Sequence, residues 1–193
     1  MSYVQPPGTI PVMLRAALFF VERKLGKKLM ANRILAWYPK ALIGSGIMEA
    51  LIAHDEPEVP RRLLGLIRVY TSFLVSCPFC VDLNSRDFRE KGLSREEIQG
   101  LQTRAPLESI ASLSPRERAA LSYVECICST PLTFPPQVIE KLKAQFSARA
   151  VVIIATTSAQ VNFWARLIQS FGVPPAGFSA ECMIPEKPIP GGS

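Results

Sequence analysis

Residues 61–92 read RRLLGLIRVY TSFLVSCPFC VDLNSRDFRE KG, and this stretch decides the fold class. Its first half repeats apolar side chains at the i, i+3, i+4, i+7 spacing of one helix face. These apolar positions are Leu63, Leu66, Ile67, Tyr70, Phe73 and Leu74. The spacing predicts a helix that ends near Ser76. Pro78 suits the first turn of a second helix, which we expect to reach about Lys91 and to end at Gly92.

Upstream of this stretch, the sequence predicts two further helices. We expect the first from about Pro11 to Met30, with Gly26 as a weak point. The second should begin at Pro39 and reach about Ala53, and the polar segment 54–60 should form a loop.

Downstream, helix starts are marked by capping signals. Ser94 and Ser114 each begin a Ser-x-x-Glu capping box, and two prolines precede a helix at about residue 137. Residues 148–171 predict the last long helix. Val151–Ile154 alone would suit a strand, but no partner strand is predicted, so the fold class is all-α.

We divide the chain into three parts: residues 1–34 as an N-terminal helical extension, residues 35–176 as one helical domain, and residues 177–193 as a Pro/Gly-containing C-terminal tail. From Val173 onward the sequence holds five prolines, three glycines and no periodicity. We expect that segment to be disordered or to wrap across a neighbouring subunit.

Composition favours an ordinary globular protein. Of 193 residues, 48% are hydrophobic and 20% are charged, and the net charge is +6. The basic cluster from Arg23 to Arg33 has no interleaved aromatic side chains, so we interpret it as a solvated helix face rather than a nucleic-acid or membrane contact. No apolar run approaches the roughly 20 residues of a membrane span. We expect a soluble, cytoplasmic protein with neither membrane nor nucleic-acid partners.

Cys77 and Cys80 are the most distinctive chemical feature. The chain has five cysteines, and an odd number argues against a secreted disulfide framework. Cys77 is predicted at a helix cap and Cys80 in the first turn. Unpaired N–H groups and the helix dipole stabilise a thiolate there, which lowers a thiol pKa and activates the nucleophile. Three residues apart, the two side chains share a helix face and can close a disulfide.

Zinc binding and purely structural packing are the alternatives for this pair. Zinc would need further ligands, but Cys126 and Cys128 point about 200° apart on a helix, and the single histidine, His54, lies in a predicted loop. We therefore predict no metal. We interpret Cys128 as a core residue, Cys126 as inert on the less apolar side, and Cys182 as an exposed tail residue without a function.

The segment Ser76–Ser85 resembles the CxxCxxxH signature of the alkylhydroperoxidase D-like (carboxymuconolactone decarboxylase) family. Further segments resemble its other helices; they are Tyr38–Lys40, Ser114–Leu121, Asn162–Arg166 and Gly172–Pro175. The resemblance covers about residues 35–176. It implies a helical bundle that assembles into dimers, trimers or hexamers.

The resemblance also implies residue roles. Cys80 would be the peroxidatic thiol and Cys77 the resolving one. The family's proton relay uses a histidine at the position of Asn84 and a glutamate at the position of Gly65, so this chain departs at both. Asn84 lies one turn from Cys80 and can hydrogen-bond a thiolate or a bound oxygen, but an amide is not a titratable base. Loss of a positioned acid or base typically costs about 10²–10⁴-fold in rate.

Neighbouring charges offer partial substitutes for the relay. Arg68 and Arg86 could add positive charge, although surface or ion-paired roles are the simpler expectation. Glu56 and Glu58 could replace the missing carboxylate, although loop solvation is simpler. Asp82 is expected to point away from Cys80 and to face solvent or support the helix dipole.

The function predicted is a thiol-dependent oxidoreductase, a peroxidase or disulfide-exchange protein. It would act on a small-molecule peroxide or disulfide, need no cofactor, and be restored by an external thiol reductant. Two alternatives stay open: a carboxymuconolactone-type decarboxylase, and a non-catalytic oligomeric member of the family.

Overall fold

A computed structural model describes residues 2–52 and 56–179, and within these ranges it contains helices and no strand. The single β feature there is an isolated bridge between Glu56 and Val59. The helices in the described ranges are α1 (Val12–Leu25), α2 (Met30–Leu35), α3 (Pro39–Leu51), α4 (Arg61–Leu74), α5 (Pro78–Asn84), α6 (Arg95–Gln102), α7 (Pro115–Cys128), α8 (Pro136–Gln145) and α9 (Ala148–Ser170). Short 3-10 turns span Phe88–Lys91 and Leu107–Ser109. The all-α prediction is confirmed.

Helix α4 is the centre of the fold. It packs against α5, α7 and α9, and also contacts α6. Leu66, Ile67 and Val69 are fully buried, and Tyr70 is 1% exposed. Each such side chain stabilises the fold by about 1.5–3 kcal/mol through burial. The helix is covered on more sides than its apolar face alone predicts, because α5 folds back on it directly after the turn at Ser76.

Both predicted capping boxes form. The hydroxyl of Ser94 accepts the N–H of Glu97 at 3.2 Å, and the Glu97 carboxylate accepts the N–H of Ser94 at 2.8 Å. Ser114 and Glu117 repeat the arrangement at 3.2 and 2.8 Å. Each pair satisfies two helix-end N–H groups, and so fixes the starts of α6 and α7.

Two predicted helices end earlier than expected. Gly26 adopts a left-handed conformation with φ 71°, so the helix expected to reach Met30 ends at Leu25, and α2 begins anew at Met30. The carboxylate of Glu22 holds this corner by accepting the N–H of Leu29 at 2.9 Å and pairing with Arg33 at 2.6 Å.

The helix after Pro78 ends at Asn84 rather than Lys91. The hydroxyl of Ser85 donates to the carbonyl of Val81 at 2.5 Å, and Asp87 has a positive φ of 52°. A hydroxyl that bonds the preceding turn and a left-handed residue both oppose continuation of the helix. The chain continues instead as the 3-10 turn Phe88–Lys91, and Gly92 terminates it as expected with φ 78°.

Helix α9 has the length and apolarity of a membrane-crossing helix, with a mean hydropathy of 1.3 over its most apolar window. In this fold it packs along α4 and α7, and Ala150, Ile154 and Ala165 are fully buried. The sequence prediction overlooked this run because Gln160 and Asn162 interrupt it. Its packing in the bundle accounts for its apolar character.

Candidate functional site

The side chains of Cys77 and Cys80 are joined by a disulfide at the start of α5, with their Cα atoms 5.2 Å apart. Cys77 is the N-cap residue, and its sulfur accepts the backbone N–H of Cys80 at 3.2 Å. The N–H of Cys77 itself donates to the carbonyl of Ser72 on α4 at 3.2 Å. The predicted helix start and the predicted pairing are therefore both present.

The disulfide is covered by protein. Cys77 is 0% exposed and Cys80 is 3% exposed. They belong to a small apolar cluster separate from the main core, whose other buried members are Leu29, Ala31, Ile34, Phe79, Ala165, Ile168 and Val173. Segments from both ends of the chain thus cover a pair whose chemistry requires access.

Asp82 is the residue whose predicted role is wrong. The sequence predicts that it faces solvent or supports the helix dipole, but it is 1% exposed. Its Oδ2 atom accepts the backbone N–H groups of Ala176 and Gly177, each at 2.8 Å, and its Oδ1 atom accepts that of Ser179 at 2.7 Å. Hydrogen bonds to a charged acceptor are among the stronger ones in proteins.

Asp82 thereby fixes residues 173–179, which we call the strap, across α5 of the same chain. The strap begins where the sequence predicted a segment either disordered or wrapped on a neighbouring subunit, and this part of it is neither. Residues 180–193, including Cys182, lie outside the described residues.

Asn84 connects α5 to α4. Its Nδ2 atom donates to Oγ of Ser72 at 2.9 Å, and that hydroxyl donates to the carbonyl of Arg68 at 2.7 Å. The amide that replaces the family's relay histidine is therefore engaged by Ser72. Its contribution in this state is to hold the two helices that flank the disulfide.

The space at Gly65 is filled by a lysine that the sequence prediction missed. A Cβ atom at Gly65 would lie 3.3 Å from Cδ of Lys91 and 3.3 Å from Cδ1 of Leu93. The Nζ atom of Lys91 donates to the carbonyls of Asn84 at 3.0 Å and Arg86 at 2.8 Å. Lys91 therefore lies at both departures from the family pattern, against Gly65 and at the carbonyl of Asn84.

Lys91 is also perturbed electrostatically. Burial, together with the positive charge of Arg68, lowers its pKa to about 8, while the Asp87 carboxylate opposes the shift. A lysine directly before a left-handed glycine marks the end of a helical turn, and this was the available sequence signal. Its approach to Gly65, 26 positions earlier, has no local signature.

Arg68 and Arg86 are held by other groups, as their simpler expectation stated. Arg68 donates to Glu49 at 2.9 Å and to Gln160 at 3.2 Å. Arg86 donates to the carbonyl of Leu25 at 3.0 Å and pairs with Asp87 at 2.9 Å. Arg86 therefore fastens the end of α1 to the end of α5.

Glu56 and Glu58 lie at the start of α9. Arg149 pairs with Glu56 at 2.8 Å and with Glu58 at 3.3 Å, and Ser147 donates to Glu58. The Ser147 hydrogen bond and Arg149 lower the pKa of Glu58. These carboxylates anchor a loop to a helix terminus and do not replace the missing relay glutamate.

The expected burial of Cys126 and Cys128 is reversed. Cys126 is buried, whereas Cys128 is half-buried and accepts a hydrogen bond from Asn162 at 3.4 Å. Burial raises the pKa of both thiols, which favours unreactive side chains. His54 lies outside the described residues. Among the described ones, no group of three or more His, Cys, Asp or Glu side chains could hold a metal ion.

Comparison with known proteins places this arrangement. No family model matches the chain. The structure matches a protein of unknown function from Agrobacterium tumefaciens, proposed to be the antioxidant defence protein AhpD, with a TM-score of 0.64 and 25% identity over 73% of this chain and 94% of that one. It also matches the AhpD core of an uncharacterised peroxidase-related protein from Ralstonia eutropha JMP134, with a TM-score of 0.74, 21% identity and coverage of 90% and 92%.

The chain belongs to the alkylhydroperoxidase D-like family. Two other matches show how broad this AhpD-like group is. The uncharacterised protein YdfG of Bacillus subtilis is 25% identical over 145 residues, which are 74% of this chain and 96% of YdfG. A cysteine-to-alanine variant of the debrominase Bmp8, in complex with 2,3,4-tribromopyrrole, shares the fold with a TM-score of 0.74, 17% identity and 94% coverage of both chains.

Proposed function

We propose that this AhpD-like protein is a thiol-dependent oxidoreductase whose Cys77–Cys80 pair alternates between dithiol and disulfide. The observation that supports it most is the disulfide at the start of α5, where the sulfur of Cys77 accepts an N–H group. Membership of a peroxidase-related family adds support. The same position stabilises a thiolate once the disulfide is reduced.

For a hydroperoxide, the reaction balances with the two thiols alone. The thiolate of Cys80 attacks the terminal peroxide oxygen, the O–O bond breaks, and the alkoxide leaves with a proton as an alcohol. The thiol of Cys77 then attacks the sulfenic acid and displaces water, which closes the disulfide. An external thiol reductant takes up the oxidation and restores the pair.

The order of attack follows the family resemblance and agrees with the burial of the two sulfurs. Cys80 is 3% exposed and Cys77 is 0% exposed, so a small opening of the cover reaches Cys80 first. Cys77, held at the N-cap, suits the resolving role because the N–H of Cys80 stabilises its thiolate.

Lys91 replaces a carboxylate by a cation near the dithiol. Its stem occupies the space that a side chain at position 65 would need. A relay of the family type is therefore absent, and the sign of the local charge is reversed. We infer that Lys91 favours the thiolate by charge, as a positioning residue, whereas proton transfer depends on solvent.

A homo-oligomer is part of the proposal. Large apolar side chains lie exposed on α1, α3 and α9, among them Phe19, Phe20, Ile43, Ile47 and Phe163. Exposed apolar surface of this kind is typical of subunit contacts. Sedimentation analysis tests this part of the proposal, because a chain that remains monomeric at working concentration would contradict it.

Thiol titration tests the function. Reduced protein should lose two free thiols per chain on mild peroxide treatment, and dithiothreitol should restore them. Cys80→Ser should abolish peroxide turnover, whereas Cys126→Ser, which removes a buried thiol of similar size, should retain it. Turnover that survives Cys80→Ser contradicts the assignment. Lactone decarboxylation that tolerates Cys77→Ser would favour the decarboxylase, and absence of both chemistries with an intact oligomer would favour a non-catalytic role.

A further inference from the structure

A surface cavity of about 450 Å³ opens beside the disulfide. Its apolar wall consists of Met30 from α2, Phe79 from α5, and Pro174 and Pro175 from the strap. Lys27 and Lys28, in the turn between α1 and α2, complete the lining on the polar side. The ends of the chain and the CxxC motif thus meet around one cavity.

The charge in this cavity is of one sign. Lys27 and Lys28 are both exposed, and within residues 2–52 and 56–179 neither forms an ion pair with an acidic side chain. The carboxylate of Glu22, which lies in the preceding helix, is bound by Arg33 and by the N–H of Leu29. Two ammonium groups beside an apolar wall complement a molecule with one anionic head and an apolar body.

Phe79 connects the cavity to the reacting sulfurs. It lies between the two cysteines in the sequence, is 4% exposed, and packs in the same apolar cluster as both of them. Its ring also contacts Phe178 of the strap edge-on, with ring centroids 6.4 Å apart. A molecule in the cavity therefore touches both the residue that covers the disulfide and the strap that must move to expose it.

We propose that this cavity is the substrate site, and that the substrate is an organic hydroperoxide with an apolar body and a carboxylate. The carboxylate pairs with Lys27 and Lys28, and the apolar body lies against Met30, Phe79 and the strap prolines. The substrate identity rests on the proposed function, whereas anion binding in the cavity does not. The reaction converts the hydroperoxide and the dithiol into the corresponding hydroxy acid, water and the disulfide.

Calorimetry on the oxidised full chain tests binding without any turnover. The probes are octanoate below its micelle concentration and octan-1-ol, which share one chain length and differ in charge. We expect octanoate to bind more tightly than octanol, and the double variant Lys27→Gln/Lys28→Gln to weaken octanoate binding about tenfold while octanol binding is unchanged. Lys141→Gln/Lys143→Gln on α8 removes the same charge from an exposed site and should change neither. Equal binding of the two probes, or an unaffected Lys27/Lys28 variant, overturns the site.

Stopped-flow oxidation of the reduced protein tests the substrate. A fatty-acid hydroperoxide should react faster than its methyl ester, and the ratio should fall to about one in the Lys27/Lys28 variant. Equal rates for acid and ester in the wild-type protein overturn the proposed substrate while leaving the redox function intact. Octanoate binding without oxidation by either peroxide would instead overturn the redox function and leave the anion site standing.

Discussion

The Oδ2 atom of Asp82 accepts the backbone N–H of Gly177 at 2.8 Å, and so joins the CxxC helix to a segment 95 residues further along the chain. The same carboxylate binds Ala176 and Ser179. One buried side chain therefore holds the strap closed over the disulfide. The strength of this attachment should control how fast a small reductant or oxidant reaches the sulfurs.

Asp82→Asn tests that control. The amide offers one acceptor oxygen instead of two and carries no charge, so we expect a loss of about 1–3 kcal/mol in the free energy of unfolding. The looser strap should raise the rate of disulfide reduction by dithiothreitol on the order of tenfold. Glu90→Gln, an exposed carboxylate beyond the same helix, is the matched control and should alter neither quantity. Unchanged reduction kinetics in Asp82→Asn would show that the strap does not limit access.

Lys91→Met tests the lysine through the pH dependence of stability. Burial lowers the pKa of Lys91 to about 8 from its ordinary value of 10.5. The unfolded chain therefore binds more protons at this site between about pH 8 and 10.5, so the lysine makes the fold more stable as pH rises through that window. Relative to Lys91→Met, the wild-type free energy of unfolding should rise by up to about 3 kcal/mol, at 1.36 kcal/mol per pKa unit. Urea unfolding at pH 7, 8, 9 and 10 measures it. Parallel curves for the two proteins contradict an embedded, perturbed lysine.

Gly65→Glu tests whether Lys91 occupies the relay position. Even a Cβ atom there lies 3.3 Å from the lysine stem, so a full side chain requires displacement and should destabilise the fold by about 1–3 kcal/mol. Adding Lys91→Ala to the same chain should recover most of that loss, whereas adding Lys24→Ala on α1 should not. Failure of Lys91→Ala to rescue stability would place the obstruction elsewhere.

Restoring the relay provides a functional test of the same geometry. The triple variant Gly65→Glu/Asn84→His/Lys91→Ala reinstates both family residues and removes the side chain between them. Because a positioned acid or base contributes about 10²–10⁴-fold in rate, peroxide turnover should rise at least tenfold over the wild-type protein. The same variant with Cys80→Ser should show no turnover. A triple variant that folds but gains no activity would mean that the relay positions are not what limits the rate.

The sequence predicts those features whose cause is local. The apolar spacing of α4, the capping boxes at Ser94 and Ser114, and the N-cap position of Cys77 all depend on residues within one or two helical turns. These predictions are confirmed. The two misplaced helix ends also have local causes, namely the left-handed residues Gly26 and Asp87, but such conformations compete with continuation of the helix and are difficult to weigh from sequence alone.

Features that depend on distant partners were not predictable. Asp82 looks like a solvent-facing carboxylate until the chain returns to it 94 to 97 residues later. Lys91 looks like an ordinary helix-end lysine until its stem meets Gly65. The cavity beside Phe79 requires the turn at Lys27, the helix start at Met30 and the strap to meet, and no local pattern encodes that meeting.

The central claim is that Cys77 and Cys80 form a pair that cycles with substrate, and mass spectrometry of the peptide containing both residues tests it most directly. Reduced protein treated with one equivalent of hydroperoxide should lose two hydrogens from that peptide in step with peroxide consumption, and dithiothreitol should restore them. Peroxide consumption without that loss, or formation of the disulfide at the rate seen in air alone, would contradict the account.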